Sequence, residues 1–214
     1  MREADGARPS RLHTDLKNDA EVAVDALRGS GAACEALVKR FERPVYNLIA
    51  RLVQDPGMAE DLTQDTFVKM FRALGTFDPR LRFSSWLFRI AHNTAIDYLR
   101  QRRLAVVAPA VDENNEARDT LASIADVAAV SPEKAASNRE LAAALDAAID
   151  RLRPEYRSAI VLRHQEGLEY DEIAHVLDLP LGTVKTYLYR ARRELAHHLA
   201  AAGFGPETRP PNGA

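Results

Sequence analysis

Four cations, Lys185, Arg190, Arg192 and Arg193, fall within Lys185–Arg193, a stretch that holds no acid. Ammonium and guanidinium groups at helical spacing donate N–H groups to phosphate oxygens and to the acceptor edge of guanine, chemistry that binds nucleic acid without altering it. A second basic stretch, Arg80–Arg103, sets six arginines against one acid, Asp97, and places Phe83 and Asn93 among them. Such groups hold phosphates, read base edges or stack on an unpaired base. Asp61, Gln64 and Asp65 share one helical face with Leu62 and Phe67 alongside, a mixed polar and apolar surface suited to a protein partner. Between these lies Asp112–Glu133, with six acids against Arg118 alone. The net charge of −2 thus hides a basic, acidic, basic order, and the acidic middle should screen the basic ends and weaken binding to free duplex. Something else then has to hold the chain on DNA. No residues stand out for catalysis: there is no Gly-rich phosphate loop, no His/Cys metal cluster and no Ser, His and Asp arrangement. His197–His198 reads as surface helix. Neither cofactor nor metal is expected.

The elements that must position these groups are helices. Tyr170–Leu195, YDEIAHVLDLPLGTVKTYLYRARREL, reads as two short helices joined by a tight turn. Ile173, Ala174 and Leu177 supply one apolar face, and Leu179, Val184 and Leu188 the facing one. Asp178 stands where the turn needs the left-handed region, which aspartate can visit. Pro180 suits a first helical turn, and Gly182 with Thr183 keeps that end slim enough to approach a phosphate backbone. The plainer alternative is a helical hairpin whose arginines face only water. From Glu21 to Arg103 the apolar spacing predicts four helices, at about 20–28, 33–53, 58–73 and 84–102. In the last of these Trp86, Leu87, Ile90 and Leu99 pack inward, while Arg89, Asn93, Arg100 and Arg103 share or adjoin the other face. A helical stripe of Leu141, Leu145, Ile149 and Leu152 follows Pro132, and Pro154 starts the next helix.

The fold class is therefore all-α, with two small helical domains over 20–103 and 132–202. A flexible acidic linker over 104–131 joins them, and frayed tails over 1–19 and 203–214 flank them. Cys34, the sole cysteine, excludes an internal disulfide and a multi-thiolate zinc site, and its helical setting suits a small buried hydrophobe. No run approaches the ~20 apolar residues of a membrane span, and the first residues lack a signal-peptide core, so a cytoplasmic location is expected.

Three segments stand in order: AEDLTQDTFVKMFRAL at 59–74, RFSSWLFRIAHNTAIDYLRQRR at 82–103, and the helix-turn-helix at 170–195. Together they resemble a bacterial RNA polymerase sigma factor of the extracytoplasmic-function group (group IV), over roughly residues 21–200. The small form of that family has only the second and fourth sigma domains. The resemblance implies that Asp61, Leu62, Gln64, Asp65 and Phe67 dock the clamp helices of core RNA polymerase. It assigns the downstream promoter element and its opened non-template strand to Arg80, Arg82, Phe83, Ser84 and Ser85 in a loop, with Asn93, Asp97, Arg100 and Arg103 on the helix. Asp97 has a simpler alternative, an ion pair with an arginine one turn away. The upstream promoter element falls to Thr183, Lys185, Thr186, Tyr189 and Arg190. The acidic linker would thread near the polymerase active site, and an anti-sigma factor would hold the free protein inactive. A stand-alone helix-turn-helix regulator, dimeric and binding palindromic duplex by itself, is the competing reading; the segments at 59–74 and 82–103 argue against it.

Overall fold

Helix starts follow from the residue types that precede them. The Ser30 hydroxyl accepts from the Ala33 amide at 3.3 Å, and the Asp55 carboxylate accepts from the Met58 amide at 3.1 Å, each satisfying a first-turn N–H. In chain order the helices are α1 (Leu16–Leu27), α2 (Gly31–Val53), α3 (Pro56–Ala73), α4 (Phe83–Val106), α5 (Pro132–Arg151), α6 (Pro154–His164), α7 (Tyr170–Leu177) and α8 (Leu181–Ala201), with a 3-10 turn at Leu74–Thr76. The computed structural model describes residues 16–106 and 132–204, and among these there is no strand. The all-α expectation holds. Helices α2 and α3 begin two residues before the apolar spacing places them, because their caps, not the core, set the first turn. Helix α4 runs to Val106, past the expected start of the linker at 104; the rest of that linker, the tail over 1–15 and the end from 205 lie outside the described residues.

The first unit is built around α2. Leu37, Phe41, Val45, Leu48 and Ile49 are essentially fully buried, at the helical spacing that the sequence shows. They meet Ala59 and Met70 of α3 and Phe83, Leu87 and Phe88 of α4. Each such side chain removed from water contributes roughly 1.5–3 kcal/mol. Pro44 sits inside α2 and removes one rung of its hydrogen-bond ladder. Cys34 packs partly buried against this core, in keeping with its reading as a small hydrophobe.

The second unit packs α6, α7 and α8 about Ile160, Leu162, Ile173, Val184 and Leu188. Its corner between α5 and α6 is sealed by Arg157, which is buried. Its guanidinium donates to the carbonyls of Ile149 (3.2 Å), Asp150 (2.5 Å) and Leu152 (2.8 Å), at the end of α5 where the intrahelical ladder runs out. That draws down the C-terminal end of α5, so Ile149 and Leu152 are buried whereas Leu141 and Leu145 of the expected stripe are exposed.

The two units touch along two seams, α2 against α6 and α4 against α7. Arg157 also donates to the Arg51 carbonyl at 2.9 Å, and the Arg51 side chain bonds Asp146 and, at 3.5 Å, Asp150. Gln54 Nε2 donates to the Asp150 carbonyl at 3.0 Å.

Candidate nucleic-acid and polymerase interfaces

Helix α8 separates its two faces cleanly. Val184, Leu188 and Ala191 are buried, which turns Lys185, Thr186, Tyr189 and Arg190 to solvent. Asp178 ends α7 in the left-handed region, at φ 55° and ψ 48°, and its amide closes on the Ala174 carbonyl. That residue reverses the chain without glycine. Pro180, φ −58°, is the cap of α8 and stands just before the first turn. A Cβ on Gly182 would meet nothing within 4 Å, so this end of α8 is open. Half-buried Thr183 donates its amide to the Pro180 carbonyl at 2.9 Å, and the Thr186 hydroxyl donates back to the Gly182 carbonyl at 2.9 Å. Arg190 leans on Tyr156, donating to its hydroxyl at 3.3 Å, and that contact raises the guanidinium pKa further. Arg193 lies over the Tyr189 ring at 5.9 Å.

Helix α4 is different. Phe83 does not lie in a free loop: it opens α4 and is 1% exposed. Its ring sits 5.3 Å from Phe41, 5.3 Å from Phe77 and 5.6 Å from Trp86, the Phe77 contact edge-on. Four aromatic rings in one cluster bury more surface than a stacked base would return, so the expected stacking residue is a core residue. Ser84 and Ser85 are likewise on the helix and buried. The Ser85 hydroxyl donates to Glu172 Oε1 at 3.2 Å, and Arg82 donates to Glu172 Oε2 at 2.7 Å. Arg89 approaches Asp178 at 3.8 Å. Further along, Asn93, Asp97, Arg100 and Arg103 are exposed, and Asp97 pairs with Arg100 at 3.8 Å as the simpler alternative had it. In the loop, Arg80 is exposed and grips Asp78 with Nε at 2.9 and 3.0 Å and a terminal nitrogen at 2.6 Å. The hydrogen bond from the Arg80 side chain pulls the Asp78 carboxyl down to about 2.

On α3, Asp61, Gln64 and Asp65 are exposed, and Asp65 pairs with Lys69 at 3.5 Å. Leu62 is half-buried and Phe67 is 7% exposed, turned into the core by the helical offset from Thr63 and Met70, so Phe67 does not belong to an outward face. The outward apolar residues are instead Val68 and Phe71, 46% and 36% exposed. Their spacing from Asp61, Gln64 and Asp65 is helical, but so is that of Phe67, and only the packing of α3 separates them. Glu172 and Arg157, by contrast, also bond residues far away in the chain, Arg82 with Ser85 and the Arg51 carbonyl, and for those contacts the sequence carries no local signal.

Models of sigma-70 region 2 and sigma-70 region 4 match residues 37–104 and 142–195. This pair, one on each helical unit, defines a transcription initiation factor of the sigma-70 type. The chain is 34% identical over 180 residues to the RNA polymerase sigma-H factor of Pseudomonas aeruginosa, spanning 84% of this chain and 92% of that one. It is 36% identical over 172 residues to the ECF RNA polymerase sigma-E factor of Escherichia coli K12, spanning 78% and 87%. Among solved structures, CnrH in complex with the cytosolic domain of CnrY superposes with a TM-score of 0.60 at 27% identity, over 86% of this chain and 97% of that one. The chain belongs to the ECF RNA polymerase sigma factors. It is an alternative sigma factor for transcription initiation, a role that implies no catalysis by the chain itself. No helix among the described residues is long and apolar enough to cross a membrane.

Proposed function

We propose that this sigma factor carries three working surfaces. Asp61, Gln64 and Asp65, with Val68 and Phe71 as apolar anchors and Leu62 at their edge, dock core RNA polymerase; a mixed acidic and apolar stripe suits a basic, helical partner surface. Arg80, Arg82, Asn93, Arg100 and Arg103 take the downstream promoter element and its melted strand, with Phe83 and Ser84 holding α4 in shape beneath them and Asp97 paired with Arg100 beside them. Thr183, Lys185, Thr186, Tyr189 and Arg190 meet the upstream element in the major groove. The single observation that carries this reading is the outward cationic face of α8, set by the burial of Val184, Leu188 and Ala191 behind it.

The work is recognition and strand capture in the cytoplasm, without hydrolysis. An anti-sigma factor is the expected inhibitor, since solved relatives include CnrH held by the cytosolic domain of CnrY. The test is paired binding and transcription on genomic promoter fragments, with the chain alone and with core polymerase. Specific binding and initiation should require core. Tight sequence-specific binding by the chain alone, unaffected by core, would replace this reading with a stand-alone regulator.

A further inference from the structure

We propose that Tyr156 and Tyr170 are positioning residues for DNA binding: their hydroxyls hold Arg190 and Arg192 on the two flanks of α8, and Arg192 is a further contact, to a backbone phosphate. The inference rests on the reading of α8 as the helix that meets the upstream element.

Arg190 and Arg192 are two residues apart, which in an α-helix sets them roughly 200° apart around the axis. Their partners stand accordingly on different sides. Arg190 Nη1 donates to the hydroxyl of Tyr156 on α6, and Arg192 Nη2 donates to the hydroxyl of Tyr170 on α7, each at 3.3 Å. The two guanidiniums are thus drawn to opposite edges of α8, with Thr186, Tyr189 and Arg193 exposed between them. A helix is about 10–12 Å across and the major groove about 12 Å wide, so a helix lying in the groove has a phosphate strand along each flank. That places Arg192 against the strand opposite the one beside Arg190. A cation at each edge fixes the depth and register at which the residues between them face the bases.

The tyrosines are themselves held. Tyr156 is 7% exposed, and its ring stands edge-on to Tyr187 with centroids 5.3 Å apart. Tyr170 is half-buried, with the Arg163 guanidinium 5.0 Å from its ring centroid. Arg163 in turn donates to the Leu168 carbonyl at 2.9 Å and pairs with Glu169 at 3.0 Å. A hydroxyl on a fixed ring engages one N–H of a guanidinium and leaves its other donors for an anion. An exposed arginine loses side-chain freedom when it binds, and a side chain already ordered in the free protein loses less. The hydroxyls contribute that ordering.

The experiment uses the full chain with core polymerase and a fluorescent promoter fragment recovered from the genomic pool, with binding followed across a salt series. Tyr156→Phe and Tyr170→Phe keep each ring and remove only the hydroxyl, so circular dichroism melting should show little change. Each should weaken binding about three- to ten-fold. Arg192→Ala should weaken it at least as much and make the salt dependence shallower by about one released counterion, alike on all promoters. The deciding readout is a double-mutant cycle. Tyr170→Phe should cost nothing further in the Arg192→Ala background, nor Tyr156→Phe in Arg190→Ala, whereas a merely structural role costs the same in both backgrounds. A loss of stability common to both backgrounds cancels in the cycle, so a phenylalanine variant that melts lower still gives an answer. Equal losses in both backgrounds, or none from a phenylalanine variant, overturn the positioning role of that tyrosine. Unchanged affinity and salt slope in Arg192→Ala overturn the phosphate contact. A second fragment with its upstream element scrambled separates this inference from the one it rests on. If the natural chain with core binds both fragments equally, α8 does not read that element. If it prefers the intact fragment while the tyrosine variants bind as the natural chain does, the positioning role alone fails.

Discussion

Helices α4 and α8 both carry arginines, but they are built oppositely. Helix α8 buries one stripe, Val184, Leu188 and Ala191, and leaves the opposite face outward, so each of its cations has solvent on its far side. Helix α4 is covered on more sides: Phe83, Leu87 and Phe88 face the first core, while Arg82, Ser85 and Arg89 face the second unit. The lesson is that a basic helix in sequence is a reading helix only where one side remains unpartnered. In α4 the unpartnered side runs through the later turns, with Asn93, Arg100 and Arg103 exposed, whereas the first turn is covered by the second unit.

The largest effect that sharpens this contrast is at Phe83. Phe83→Ala removes the centre of the aromatic cluster and should cost about 3–5 kcal/mol, read as a large fall in Tm with core polymerase absent. A residue kept only to stack on a base would leave Tm nearly unchanged, and that result would return Phe83 to the DNA surface.

The units should also answer pH in opposite directions. Burial pushes the Glu166 carboxyl, in the turn after α6, up to about 8. Between about 4.5 and about 8 the folded chain keeps a proton that the unfolded chain releases, so stability from this group falls as pH rises, by on the order of a few kcal/mol. His92, in α4, is pushed below its ordinary value of 6.5, first by burial and against a hydrogen bond with Asn93. Its unfolded form takes up a proton that the folded form resists, so this contribution is lost as pH falls below about 6.5. Melting curves across pH should lose their alkaline slope in Glu166→Gln and their acid slope in His92→Gln. Unchanged slopes would mean that neither group is shielded as described.

The smallest of the three effects is at the DNA face itself. Lys185→Ala and Arg190→Ala should leave the unfolding free energy within roughly 0.5 kcal/mol of the natural chain, as exposed positions do. Each should weaken binding of the polymerase-bound factor to the upstream element by about 1–3 kcal/mol. Equal transcription from promoters with and without that element would break the assignment of α8.

Much of this was legible in the sequence where the signal is local. The spacing of Leu37, Phe41, Val45 and Leu48 placed α2, and the Asp178 turn with its flanking apolar residues placed the helix-turn-helix. What escaped is non-local or side-specific. Phe83 meets Phe41 from a distant part of the chain, so nothing near it marks the ring as core. Phe67 and Phe71 differ by one turn and share a residue type, yet one is buried and the other outward, because the pattern alone does not say where the stripe ends. Glu172 reads as an ordinary first-turn acid, and its second task appears only when α4 is set against it.

Arg157 also has a bearing on the order of events during folding. Its partners Ile149, Asp150 and Leu152 are at most eight residues away, a loop that closes on a timescale of tens of nanoseconds. Its remaining partner, the Arg51 carbonyl, is 106 residues away and carries the slow entropy of a long closure. One guanidinium thus takes part in an early step and a late one. Three of the four carbonyls that Arg157 satisfies belong to its own unit, so most of the bonding that closes the corner beneath the helix-turn-helix does not depend on the other half of the chain.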